Sequence, residues 1–210
     1  MANLVYMAKS AWTGLLDSIR AKAGTAASMT VSEATTAVQN IPTGGGGGEE
    51  YAELVERTIS AASGSMSKIG VNAFAYCSSL TTASFPATTS IGGSAFVNCS
   101  SLTTASFPAA TSIGTYAFAS CFSLAIARFP SADFIGIGAF SKCYKLLSLY
   151  LTGSTVVRLG NDNAFNSTPI SGYTTSTGGV YGSIFVPASL YDSYISAANW
   201  SVYSSRFVSV

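Results

Sequence analysis

Residues 91–108 carry the segment IGGSAFVNCSSLTTASFP, which decides the fold because the chain repeats it. Related copies begin at residues 69, 113 and 135, so the four copies follow one another at a constant step of 22 residues. A fixed period of this length predicts one coil of a solenoid per copy, because a single copy has no core of its own. The columns of the gapless alignment that hold one residue type in all four copies include Ile69, Ile91, Ile113 and Ile135; Gly70, Gly92, Gly114 and Gly136; Phe74, Phe96, Phe118 and Phe140; Cys77, Cys99, Cys121 and Cys143; Leu80, Leu102, Leu124 and Leu146.

Each copy ends in a short alternating element that predicts a strand. In the first copy, Leu80, Ala83 and Phe85 are expected to point into the core. The same alternation turns Thr82 and Ser84 outward, and the proline that follows stops ladder pairing. The I-G-x-x-A-F-x-x-C segment is expected to return along the opposite side of the coil as a short helical or 3₁₀ turn. Stacked coils would then place like residues about 4.8 Å apart.

The motif I-G-x-x-A-F-x-x-C-x-x-L-x-x-x-x-F-P resembles the BspA-like leucine-rich repeats of bacterial surface proteins and of phage or prophage proteins. The resemblance covers about residues 66–165, including a degenerate fifth copy at Leu159-Gly160 and Ala164-Phe165. It implies an α/β solenoid, a short right-handed stack of leucine-rich-repeat coils, joined to a small N-terminal helical segment.

Both ends of the repeat array resemble caps. Residues 184–207 look like the segment that closes phage-encoded members, with a strand, a helix from about Ser189, and Trp200 and Phe207 covering the last coil. Residues 54–60 resemble a capping strand at the other end. The expected organisation is a helical attachment segment at 1–43, a glycine-rich linker at 44–50, a leucine-rich-repeat solenoid with its N-terminal capping strand at 51–183, and a C-terminal strand-helix-strand cap at 184–210.

The N-terminal segment differs in character from the repeats. Trp12, Leu15 and Ile19 fall on one face of a predicted helix, and Thr30 with Glu33 forms a capping box that opens a second one. Two helices of this size bury too little to be stable alone, so the apolar face must pack on another copy, a neighbouring protein or the solenoid. The segment resembles the short helical N-termini of phage tail-associated proteins. An ordinary helical hairpin with no attachment role is the alternative.

Composition excludes several classes of function. The sequence contains no histidine, which removes the commonest general base and the commonest zinc ligand, so we expect no enzyme, no metal site and no cofactor. Charged residues make up 9% of the chain and the net charge is +1, so no partnership with nucleic acid is expected. No run approaches the roughly 20 apolar residues of a membrane span, so no membrane insertion is expected.

The cysteines occupy one column of the repeat. Four cysteines in an exported protein would suggest disulfides, but stacked coils hold neighbouring Cβ atoms just outside the roughly 3.5–4.5 Å that a disulfide requires. A straight ladder also cannot surround a metal ion tetrahedrally. The sequence therefore predicts a reduced, buried column of thiols.

The outward strand positions are the candidate binding surface, and they form two columns along the stack. The first two copies agree from Cys77 to Ala87 and from Cys99 to Ala109, whereas the later copies introduce apolar, charged and aromatic residues there. Arginine and tyrosine are favoured interface anchors. A solvated strand face whose residues have drifted is the alternative. The candidate residues are Thr82, Ser84, Thr104, Ser106, Ile126, Arg128, Ser148 and Tyr150.

The leading functional hypothesis is a non-enzymatic phage or prophage tail component that recognises a host. The N-terminal segment would bind other virion or tail proteins, and the solenoid would contact a host-surface glycan or protein; a homo-oligomer, in particular a trimer, would suit a fibre. Asp17, Arg20 and Lys22 interrupt any secretory signal, so we expect synthesis in the bacterial cytoplasm and a final place on the virion or extracellular surface. A bacterial cell-surface adhesin or interaction module is the alternative, and a purely structural virion component is a further one.

Overall fold

The structure, a computed structural model, describes residues 61–63 and 66–210. The predicted N-terminal helices, the glycine linker and the capping strand at 54–60 lie outside the described residues. In chain order the strands are β1 (Ala61–Ser63), β2 (Lys68–Ile69), β3 (Thr82–Ser84), β4 (Ser90–Ile91), β5 (Thr104–Ser106), β6 (Ser112–Ile113), β7 (Ile126–Arg128), β8 (Phe134–Ile135), β9 (Ser148–Tyr150), β10 (Arg158–Leu159), β11 (Ser183–Val186) and β12 (Phe207–Ser209). One α-helix in this region, α1, spans Tyr191–Ser196, and 3₁₀ turns span Thr175–Thr177, Ala188–Leu190 and Ser201–Arg206.

Two parallel sheets run along the stack, and their strands alternate in sequence. The larger sheet has the order β1-β3-β5-β7-β9-β11-β12, and the smaller sheet has the order β10-β8-β6-β4-β2. Thr82 pairs with Thr104, which pairs with Ile126, so the register follows the 22-residue step. Successive copies therefore lie directly over one another, and the predicted α/β solenoid is confirmed.

The repeated apolar columns form one continuous core. Leu80, Ala83 and Phe85 are fully buried, as the alternation predicts. The rings of Phe74, Phe96, Phe118 and Phe140 stack with centroids 5.0, 5.0 and 5.4 Å apart. Phe165 continues this column at 5.6 Å, which confirms the degenerate fifth copy. A parallel column of Phe85, Phe107 and Phe129 packs beside it, with 5.6 Å between neighbouring rings.

The sequence predicts a short helical or 3₁₀ turn for the return segment of each copy; the structure has single turns closed by hydrogen bonds to the carbonyl three residues earlier, but no continuous helix. In the second copy Ala95 N donates to Gly92 O within the coil at 3.4 Å, whereas Phe96 N donates to Ala117 O of the next coil at 2.7 Å. Because every second amide bonds to the neighbouring coil, consecutive helical bonds cannot form. The alternation requires left-handed backbone at two columns, exemplified by Ser94 (φ 54°) and Asn98 (φ 60°). The structure is thus a run of linked turns, preceded by the two-residue strands of the smaller sheet.

The repeated glycine marks a close approach between the backbones of successive coils. A Cβ atom added to Gly114 would lie 2.6 Å from the carbonyl carbon of Gly92 and 2.6 Å from the amide nitrogen of Gly93. Gly92 stands in the same relation to Gly70 of the first copy. No larger residue fits such a contact without separating the coils, so this column fixes the spacing of the stack.

The C-terminal segment closes the last coil. β11 pairs with β9, and β12 pairs with β11, so the larger sheet extends beyond the repeats. Trp200 is fully buried with its ring 5.8 Å from Phe165, and its indole N–H donates to the Val157 carbonyl at 2.6 Å. The Tyr203 hydroxyl donates to the Asp162 carbonyl. Burial raises the pKa of Tyr203 to about 12, so this donor keeps its proton at any physiological pH.

Candidate functional site

All eight candidate binding residues lie on the larger sheet, in two outward columns. One column follows the first residue of each repeat strand and the other follows the third, with paired neighbours in parallel register. Arg128 is exposed and the other seven side chains are half-buried. The first column is Thr82, Thr104, Ile126 and Ser148, and the second is Ser84, Ser106, Arg128 and Tyr150.

The second column ends in a stack of three side chains. The guanidinium carbon of Arg128 lies 4.7 Å from the centroid of the Tyr150 ring. The ring of Phe185, on β11, lies on the other side of Tyr150 in register, with centroids 4.5 Å apart and an interplanar angle of 11°. Tyr150 therefore lies between a cation and a second ring, and both contacts favour this arrangement.

Phe185 was not among the predicted residues, although it extends the same column. It lies 35 residues after Tyr150, so the 22-residue step does not reach it. The signal that could have found it is the alternation in Ser183–Val186, where Ile184 and Val186 are buried and Phe185 points outward. Matching that alternation to the inward and outward positions of β9 places Phe185 beside Tyr150.

The outward residues divide the stack into two halves. In the first two coils the strand columns carry only threonine and serine. From the third coil onward they carry Ile126, Arg128 and Tyr150. A second exposed row follows the same trend, since Phe122 stacks on Tyr144 at 5.3 Å and Tyr144 lies 5.1 Å from Tyr173. Chemical variety is therefore concentrated in the C-terminal half.

The smaller sheet offers a useful comparison with the Arg128 stack. Its outward column runs Lys68, Ser90, Ser112, Phe134 and Arg158. The guanidinium carbon of Arg158 lies 5.7 Å from the centroid of the Phe134 ring. Both sheets thus carry an exposed arginine over a ring, but the pair on the smaller sheet is looser and its ring bears no hydroxyl.

A family model described as the BspA type leucine rich repeat region matches residues 63–180 in six copies, which is more than half of the 210 residues. The chain belongs to the BspA-type leucine-rich repeat family. BspA-type repeats suggest a protein-interaction or adhesin module. No curated protein and no solved structure matches the chain.

The cysteine column of these BspA-type repeats is reduced and buried, as predicted. Each of three thiols donates to the carbonyl of the phenylalanine 25 residues earlier: Cys99 to Phe74 at 3.0 Å, and Cys121 to Phe96 and Cys143 to Phe118 at 3.1 Å. Burial raises the pKa of the Cys121 thiol. The pKa of the Cys99 thiol is also raised, mainly by its hydrogen bond with the Cys121 sulfur and, to a smaller extent, by burial. Thiols held in this way are poor nucleophiles at neutral pH, so the column serves packing.

The described part of the BspA-type chain offers few groups for other chemistry. Across residues 61–63 and 66–210, no cluster of three or more His, Cys, Asp or Glu could hold a metal ion. Within the same residues no helix has the length and apolar character to cross a membrane. The outer face of the larger sheet, with its stacked Arg128, Tyr150 and Phe185, is the candidate functional surface.

Proposed function

We propose that this chain is a non-enzymatic recognition protein of a phage or prophage tail, located on the virion surface, whose solenoid contacts a glycan or protein on the host surface. The outward columns of the larger sheet in the C-terminal half carry the contact. The first two coils then act as a rigid spacer between this surface and the N-terminal segment. Many shallow contacts on a rigid scaffold gain strength when several copies bind together, as they would in a trimeric fibre.

The observation that carries this proposal is the contrast between inward and outward columns. The inward isoleucine, phenylalanine, cysteine and leucine columns each keep one residue type through the four copies, because their members share one core. The outward positions change from hydroxyl residues to Ile126, Arg128 and Tyr150, which packing does not require. These residues are held in register on a parallel sheet, and Arg128 and Tyr150 pack on each other. A preordered arginine and aromatic surface is what a binding interface needs.

The proposed binding surface can be tested by replacing the outward strand residues of the third coil with those of the second. The double substitution Ile126→Thr and Arg128→Ser copies Thr104 and Ser106, which the same backbone already carries. We expect the labelled full-length protein to bind host cells at least about tenfold more weakly after this change, with an unchanged melting temperature. The matched control is Thr82→Ala with Ser84→Ala, in the first coil. Equal binding by the double variant and the wild type would remove the larger sheet as the contact surface.

The proposed attachment role concerns residues 1–43, which the sequence separates from the repeats by five glycines at 44–48. Deleting residues 1–43 is expected to leave the melting temperature of the solenoid and its binding to cells unchanged, because the repeats contain their own core. The truncated protein should no longer sediment with phage particles, whereas the full chain should. A truncated protein that still co-purifies with particles would contradict the attachment role. A full chain found in the cell envelope and absent from particles would favour the surface adhesin.

A further inference from the structure

The Arg128 side chain presents hydrogen-bond donors that nothing nearby accepts. Its guanidinium carbon lies over the Tyr150 ring, 4.7 Å from the centroid. A guanidinium that rests on an aromatic face still has in-plane N–H groups to offer to an acceptor. Within residues 61–63 and 66–210, no acceptor forms a hydrogen bond or ion pair with this side chain. The phenol hydroxyl of Tyr150 is likewise without a hydrogen-bond partner among these residues. Two kinds of donor therefore lie side by side on an exposed surface.

The charge of the surrounding surface favours an anion at this position. Arg128 is the one charged residue in the described strands of the larger sheet. The acidic residues of the described ranges, Asp133, Asp162 and Asp192, all lie outside those strands. From residue 69 to residue 127 the sequence contains no charged residue at all. The positive charge of Arg128 is thus not neutralised by any strand residue of its own sheet. The outward strand residues of the two preceding coils are neutral threonines and serines.

We propose that the stack of Arg128, Tyr150 and Phe185 binds the carboxylate or phosphate group of an anionic surface polysaccharide. This inference rests on the proposed function and names the class of its ligand. The N–H edge of the guanidinium donates two parallel hydrogen bonds to the anionic oxygens, and the Tyr150 hydroxyl donates a third to the same group or to an adjacent sugar hydroxyl. Phe185 holds the Tyr150 ring from behind, so the guanidinium loses little conformational freedom when the anion binds.

A carboxylate and a phosphate both present two oxygens that can accept paired hydrogen bonds from a guanidinium. Polymers that carry one group or the other, each with a neutral counterpart, distinguish the two. The full-length protein would be titrated with polygalacturonate and its fully methyl-esterified form, and with poly(glycerol phosphate) and neutral dextran. We expect at least one anionic polymer to bind about tenfold or more tightly than its neutral counterpart, because charge-assisted hydrogen bonds are absent from the latter. Raising the ionic strength should reduce that preference. Which anionic polymer binds identifies the carboxylate or the phosphate as the preferred group.

Variants at the stack separate a specific contact from general attraction. Arg128→Ala should abolish the preference for the anionic polymer, and Arg128→Lys should retain only part of it, because a lysine keeps the charge but not the paired donors. Arg158→Ala on the smaller sheet removes an equal charge from a similar exposed pair and should change nothing. The inference is overturned if no anionic polymer binds better than its neutral counterpart, or if Arg128→Ala binds like the wild type. Loss of binding to host cells in the Ile126 and Arg128 double variant, without any preference for anions, would overturn this inference and leave the proposed function standing.

Discussion

Gly114→Ala is expected to destabilise the solenoid by about 4 kcal/mol or more, which is beyond the usual range for a single substitution. The added Cβ would meet the Gly92 carbonyl carbon and the Gly93 amide nitrogen at 2.6 Å. Both atoms belong to a backbone that is fixed by inter-coil hydrogen bonds, including Gly114 N to Ile91 O at 2.9 Å. A flexible side chain could move aside, but this backbone cannot move without breaking several such bonds. The coils must therefore separate at this level.

Urea denaturation followed by circular dichroism measures the loss, and Gly93→Ala is its control. Gly93 lies in the same coil as Gly92, yet a Cβ atom added to it would meet the Thr115 carbonyl oxygen only at 3.4 Å. We expect a loss below about 1 kcal/mol there, since such a contact is ordinary. Because each coil of a solenoid is stabilised chiefly by its neighbours, the Gly114 variant should also unfold in two steps rather than one. A single transition with a loss under about 1 kcal/mol at Gly114 would show that the coils are not held at this distance.

The sequence predicted the stacking and the core because both depend on identity at a fixed step. Phe74, Phe96 and Phe118 recur at the 22-residue step, and stacking the repeats brings their rings into contact in a shared interior. The burial of the four cysteine thiols was predicted from the same 22-residue step. The repeat period predicts which side chains are buried, and these side chains form the core throughout the described repeats.

The sequence did not predict the hydrogen bonds that join the return segment to the next coil, because a side-chain pattern does not specify backbone partners. Ile91, Ala95, Phe96 and Cys99 suit the inner face of a helical turn as well as they suit linked turns. The difference lies in the amides, which bond alternately within the coil and to the next coil. Ser94 and Asn98 adopt the positive φ that the alternation requires. Serine and asparagine adopt other conformations equally well, so the sequence does not predict this one.

The candidate surface was predicted in part, for a related reason. Ile126, Arg128 and Tyr150 lie on the period and were found by it. Phe185 belongs to the same column but comes after the loop that interrupts the repeats. Strand pairing across an interruption depends on tertiary packing, here the docking of Trp200 and its neighbours on the last coil. The third member of the stack therefore needed the structure.

Phe96→Ala is expected to cost roughly 3–5 kcal/mol, because it creates a cavity at the centre of both phenylalanine columns. The Phe96 ring is fully buried, stacks between Phe74 and Phe118 at 5.0 Å on each side, and meets Phe107 edge-on at 5.7 Å. Alanine would remove contacts with both neighbouring coils at once, and rigid inter-coil hydrogen bonds prevent the stack from closing over the gap. The free energy of unfolding from urea titration measures this loss.

The control for Phe96 is Phe122→Ala, in which an equal ring is removed from the surface. Phe122 is 40% exposed and stacks on Tyr144 at 5.3 Å, so its truncation should cost below about 1 kcal/mol. The two variants delete the same atoms and differ in whether the ring joins successive coils inside the core. If Phe96→Ala lost as little as Phe122→Ala, the columns would not be the source of stability, and the solenoid would have to be held by its backbone ladders alone. We expect the opposite, because the hydrogen bonds of the ladders set the spacing while burial of the rings supplies most of the free energy.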